Sequence, residues 1–93
     1  MRKSDSYPNV WDPIANAAEQ AANLHTRSEL LEKIGEIVRQ SGWTESDAAR
    51  HCRISQPRMD DLLCGRVAHF SLDALVNIAT ALGLRVHVEL APA

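Results

Sequence analysis

Ser55, Gln56 and Arg58 lie within four residues of one another, and each carries a side chain suited to a nucleic-acid duplex. A glutamine can pair with adenine through two hydrogen bonds in the major groove, and an arginine can pair with guanine in the same way. Ser55 reads as a helix N-cap, and a capped helix N-terminus can receive a phosphate on its free backbone N–H groups. Arg50, Arg53 and Arg66 flank this group and are candidates for phosphate contacts, which position a protein on DNA without reading bases. Between Arg50 and Arg66 four arginines face only Asp60 and Asp61, so the centre of the chain is locally basic.

Other chemistry finds little support. His51, Cys52, Cys64 and His69 invite a metal reading, but zinc sites want paired ligands a few residues apart at both ends. Cys52 fits better as a compact apolar core residue, and no metal or other cofactor is expected. No glycine-rich phosphate loop, Ser/His/Asp set or paired-carboxylate arrangement stands out, so the chain is not expected to be an enzyme.

Two short helices must position the polar group. Thr44 and Asp47 stand at capping-box spacing and open the first, which runs to Cys52. Arg53-Ile54 is a tight connection, and Ser55 starts the second, with Pro57 tolerated in its first turn and Gly65 at its end. Helices joined this tightly cross steeply, and Ala49 supplies the small residue a close crossing needs. Ile54, Met59 and Leu62 form the buried side of the second helix, leaving Gln56, Arg58 and Asp61 exposed. The motif thus spans residues 44–64.

Around it the chain reads as helical. Residues 1–12 lack periodicity and form an N-terminal tail, in which Asn9-Val10-Trp11 offers one aromatic anchor. Asp12 as N-cap and Pro13 as first residue open a helix through an alanine-rich stretch. Thr26 and Glu29 make a second capping box, which favours a break near His25 over one long helix. From there Leu30, Leu31, Ile34, Ile37 and Val38 form one apolar face up to Ser41-Gly42. Ser71 caps a last helix, with Leu72, Leu75, Val76, Ile78, Ala79 and Leu82 on its face and Gly83 beyond. In residues 84–90 the period becomes two, with Leu84, Val86, Val88 and Leu90 alternating with Arg85, His87 and Glu89; this predicts a strand. A lone strand needs a partner, and a second copy of the chain supplies one in a homodimer. The fold expected is an all-α helix-turn-helix bundle of about five helices with a short C-terminal β-strand used for dimerisation, in one domain over 13–90.

The 93 residues suffice for one domain with a small core, and their net charge is −2. That charge is unevenly spread: from Asp5 to Asp47 eight acids face Arg27, Lys33 and Arg39 alone. An acidic N-terminal half beside a basic centre suggests two surfaces with two partners, although acidic helix faces are equally often just solvated. No apolar run approaches a membrane span, Met1-Arg2-Lys3 is not followed by a signal-peptide core, and two cysteines make no disulfide framework. A reduced, cytoplasmic setting is the simplest reading.

The chain also resembles the Cro/C1-type (XRE) helix-turn-helix proteins, which share a lambda-repressor-like fold, and within them the HigA-like antitoxins of type II toxin–antitoxin modules. The resemblance rests on Ala48-Ala49, Ile54-Ser55-Gln56-Pro57-Arg58, Asp61-Leu62-Leu63, Gly65-Arg66 and Phe70-Ser71-Leu72-Asp73-Ala74-Leu75, and continues into Leu82-Gly83-Leu84-Arg85-Val86. It implies that Gln56 and Arg58 contact bases, that Ser55 contacts phosphate, and that a dimer represses its own operon. It further implies a RelE/HigB-like RNase toxin as partner, held by the segment from about Asn9 to Val38. Glu45, where such proteins usually have glutamine, and Arg53, where the turn usually has glycine, depart from the pattern, and Asp60 adds negative charge to the helix that should face DNA. These departures keep two alternatives open: a stand-alone or phage-derived regulator, and a protein-binding module that no longer binds DNA.

Overall fold

The computed structural model describes residues 13–92, with side chains from Ala17 onward. The expected tail, the Asp12 cap and Trp11 lie outside the described residues. Four α-helices follow one another: α1 (Pro13–Ser41), α2 (Glu45–Cys52), α3 (Gln56–Leu63) and α4 (Leu72–Ala81). A single 3-10 turn, Val67–His69, joins α3 to α4.

Two expectations are corrected here. The helix expected to break near His25 is continuous, so the bundle has four α-helices rather than about five. Neither glycine nor proline occurs from Ile14 to Ile34, and the Thr26 hydroxyl donates back to the Ala22 carbonyl at 3.2 Å instead of capping a new helix. A threonine inside a helix does this readily, so the capping-box spacing was satisfied without a helix start. The second correction concerns residues 84–90. They run without helix or strand pairing, and no strand is present among the described residues. Val86 packs against the core, but Val88 is 72% and Leu90 96% exposed, so burial does not follow the alternation to its end. An extended segment becomes a strand only when a neighbour takes its backbone N–H and C=O groups.

The core gathers one face of each helix. Leu31, Ile34 and Val38 of α1 meet Ala48, Ala49 and Cys52 of α2, Met59 and Leu62 of α3, Leu75, Ile78 and Ala79 of α4, and Phe70 from the loop. Spacings of three and four residues put each set on one helix face, as the apolar pattern predicts. Ile37 falls outside this set and is 37% exposed. Burial also pushes the Cys52 thiol up, consistent with a packing residue and not a nucleophile.

α2, α3 and α4 all end in the same way. After each, the residue that follows a left-handed one donates its N–H to the carbonyl five residues earlier: Ile54 to Ala49 at 3.0 Å, Arg66 to Asp61 at 2.9 Å, and Leu84 to Ala79 at 3.0 Å. This pairing requires a left-handed residue just beyond the helix, which is Gly65 and Gly83 in two cases and Arg53 (φ 60°) in the third. A side chain in that region costs about 1–2 kcal/mol, while a glycine there gives back about 0.5–1 kcal/mol through its freer unfolded chain. Arg53→Gly is therefore expected to raise unfolding stability by about 0.5–1 kcal/mol in a urea titration. A loss of stability would show that the Arg53 side chain makes a contact worth more than its strain.

Candidate nucleic-acid interface

The Arg53 turn sets α3 across α2, with Ala48 and Ala49 fully packed beneath it. α3 begins at the Ser55 cap, whose hydroxyl oxygen accepts from the Arg58 N–H at 3.3 Å, while the Ser55 carbonyl accepts from the Met59 N–H at 2.9 Å. Pro57 has no N–H to offer. Gln56 therefore carries the one first-turn N–H without a partner among the described residues, and both it and Ser55 are exposed. The start of α3 presents a hydroxyl, an amide side chain and a free backbone donor within two residues.

Each expected arginine has a definite place. Arg58 is half-buried, not exposed as its position in the motif suggested. Its guanidinium lies 4.4 Å from the centre of the Phe70 ring, and one Nη donates to the His69 carbonyl at 3.0 Å. Arg50 pairs with Asp47 on α2. Arg53 is exposed at the turn and borders, with Arg58, Asn77 and Thr80, an open groove of about 400 Å³ between the turn and α4. Arg66 leaves the far end of α3 and folds back onto its acids, at 2.8 Å from Asp61 and 3.3 Å from Asp60. Gln56, Pro57, Asp60 and Cys64 complete the exposed side of α3, with Asp61 half-buried at its margin.

The acids on this face are thus not free charges. Asp61 uses both oxygens, one toward Arg66 and the other toward His69 Nδ1 at 3.1 Å. Those two bonds, that of His69 first, hold its carboxyl below an ordinary aspartate, and the bond to Asp61 in turn raises Arg66.

Three further residues matter that the motif did not reveal. Arg27 and Arg39 of α1 donate to the Phe70 and Leu63 carbonyls, both at 3.1 Å, and so brace the connection after α3 from the other side. Phe70 supplies the ring beneath Arg58. These partners lie 11 to 43 residues apart in the chain, beyond the reach of any local pattern. Trp43, just ahead of α2, stacks on His51 of α2 with ring centres 3.9 Å apart. Among the described residues no group of three or more His, Cys, Asp or Glu side chains is placed to hold a metal, and no helix is long and apolar enough to cross a membrane.

No curated protein matches the chain. A protein-family model described as a helix-turn-helix domain matches residues 15–91, taking in α2, α3, α4, nearly all of α1 and the extended segment beyond. With most of its length covered by that match, and with an uncovered α3 N-terminus, the chain belongs to the helix-turn-helix family of DNA-binding domains.

Proposed function

We propose that the chain is a sequence-specific transcriptional repressor that lays α3 in the major groove and occupies promoter DNA. The observation that carries this reading is the uncovered N-terminus of α3, where Ser55, Gln56 and a free N–H stand clear of the core. Gln56 and Arg58 contact base edges, Ser55 receives a phosphate, and Arg50, Arg53 and Arg66 lie along the duplex. Arg58 has a second duty, since its bonds to Phe70 and His69 tie α3 to the following loop. The protein acts as a homodimer on two half-sites about 34 Å apart. Ile37, Leu84, Val88 and Leu90, apolar and exposed, are available to the interface between copies.

The same chain serves as an antitoxin, in this proposal, by binding a basic toxin of the RelE/HigB-like kind along α1. Glu19, Glu29, Glu32 and Glu36 are exposed on that helix, and every residue from Ala17 to Thr26 is uncovered. A regulator without a toxin is distinguished by co-expression with the product of the neighbouring gene, which then fails to co-purify.

The test of DNA reading is selection of bound duplexes from a random pool, with wild type and Gln56→Ala in parallel. A two-fold-symmetric site is expected for wild type, with one position relaxed in the variant and its melting temperature unchanged. Arg58→Ala is a poorer choice, because losing the ring contact and the carbonyl bond costs about 1–2 kcal/mol of stability as well. Affinity for the selected site is expected to fall steeply with salt. No enrichment at low salt, or a flat salt response, would overturn the repressor reading in favour of a protein-binding module.

A further inference from the structure

Asp60 and Asp61 put two negative charges on the helix that meets DNA, which is costly unless they do something there. What they do is visible at Arg66. A single Nη of that guanidinium makes both carboxylate contacts, to Asp61 Oδ1 at 2.8 Å and Asp60 Oδ2 at 3.3 Å. The opposite edge, formed by Nε and the second Nη, has no partner among the described residues, and the Arg66 side chain as a whole is 49% exposed. That edge is the one that pairs with two acceptors at once, as in the O6 and N7 of guanine. Asp61 is itself fixed, because its other oxygen meets His69 Nδ1 and its backbone carbonyl accepts the Arg66 N–H at 2.9 Å.

From this geometry we infer that Arg66 reads a guanine in the major groove, and that Asp61 is the positioning residue that fixes its orientation. This rests on the proposed DNA reading and assigns Arg66 a base where a phosphate was expected. A free arginine at the end of a helix finds phosphates in many orientations; one held from behind by two carboxylates presents a single edge in one direction. The Arg66 guanidinium is held at Asp60 and Asp61, four and five residues along α3 from Gln56 and about 6–8 Å away along the helix, so the two side chains address different base pairs. The two aspartates lower affinity for DNA in general and raise discrimination for this base, a division of labour in which the acid contributes specificity.

The experiment is the same selection from random duplexes, on wild type, Gln56→Ala, Arg66→Lys and Asp61→Asn, with melting curves for each. Arg66→Lys keeps the charge but loses the flat edge, so preference for that one guanine is expected to fall about tenfold to a hundredfold while other positions hold. Asp61→Asn is expected to relax the same position and, at the same time, to strengthen binding to unselected duplexes by about fivefold or less. Weaker binding of Arg66→Lys to all duplexes, with the selected site unchanged, would make Arg66 a phosphate contact and overturn the inference. A uniform gain for Asp61→Asn with unchanged selectivity would reduce Asp61 to a repelling charge and overturn its positioning role. A selected site that relaxes only in Gln56→Ala would leave the repressor reading standing while this inference falls; no selected site for wild type would remove both. Should Asp61→Asn melt early, Arg66→Lys alone still decides, because it leaves both carboxylates in place.

Discussion

Phe70→Ala is expected to remove about half or more of the protein's folding stability. Phe70 is 1% exposed and shares the core with Ile34, Met59, Leu62 and Leu75. Removing a buried phenylalanine side chain costs about 3–5 kcal/mol, and the lost ring beneath Arg58 adds about 0.5–1 kcal/mol. A domain of this length has about 5–10 kcal/mol to lose, so about half or more of its stability goes. Phe70→Leu keeps the apolar volume and removes only the ring, with an expected cost of about 1–1.5 kcal/mol. Urea titrations of both would decide the matter: a Phe70→Ala protein as stable as wild type would mean the core does not depend on this loop.

Ala22→Pro is expected to have a large effect of the opposite kind, confined to one end. Residues 17–26 of α1 are all exposed, and the helix first ties into the body at Arg27, through the Phe70 carbonyl. Proline at position 22 removes the bond to the Ala18 carbonyl and clashes with it, at about 3 kcal/mol or more. The part of the helix ahead of it is too short to survive alone, so the far-ultraviolet helical signal should fall by roughly a sixth. The thermal midpoint should nevertheless move by about 2 °C or less, because none of the described side chains in that segment belongs to the core. A midpoint lowered by much more would place the N-terminal half of α1 in the same cooperative unit as the core.

These contrasts also explain how far the sequence could be read. Thr44, Ser55 and Ser71 are N-caps as their positions imply, each accepting an N–H three residues on, and Gly65 and Gly83 close helices where glycine was the natural stop. Such features are local: cap and stop act within one turn, so a few adjacent residues specify them. Apolar spacing likewise placed Leu31, Ile34, Val38, Met59, Leu62 and Leu75 in the core. Thr26-Glu29 misled because a local signal has two outcomes, and only the absence of a breaker decides between a cap and a continuous helix. Leu84–Leu90 misled because strand formation is a property of a pair, not of one segment. At the site, exposure of Gln56 followed from helix geometry, whereas the burial of Arg58 depends on where Phe70 arrives from 12 residues further along. The Arg66 contacts with Asp60 and Asp61 are close in sequence, but only the left-handed turn at Gly65 brings them face to face.

The connection between α3 and α4 is held at the Leu63, His69 and Phe70 carbonyls by Arg39, Arg58 and Arg27, from helices on both sides. A segment pinned at three points has few conformations left to give up when a duplex arrives. Association with DNA should then resemble the docking of a rigid body, with little ordering entropy set against it. Its heat-capacity change should be no larger than the contact surface accounts for, without the excess that accompanies coupled folding.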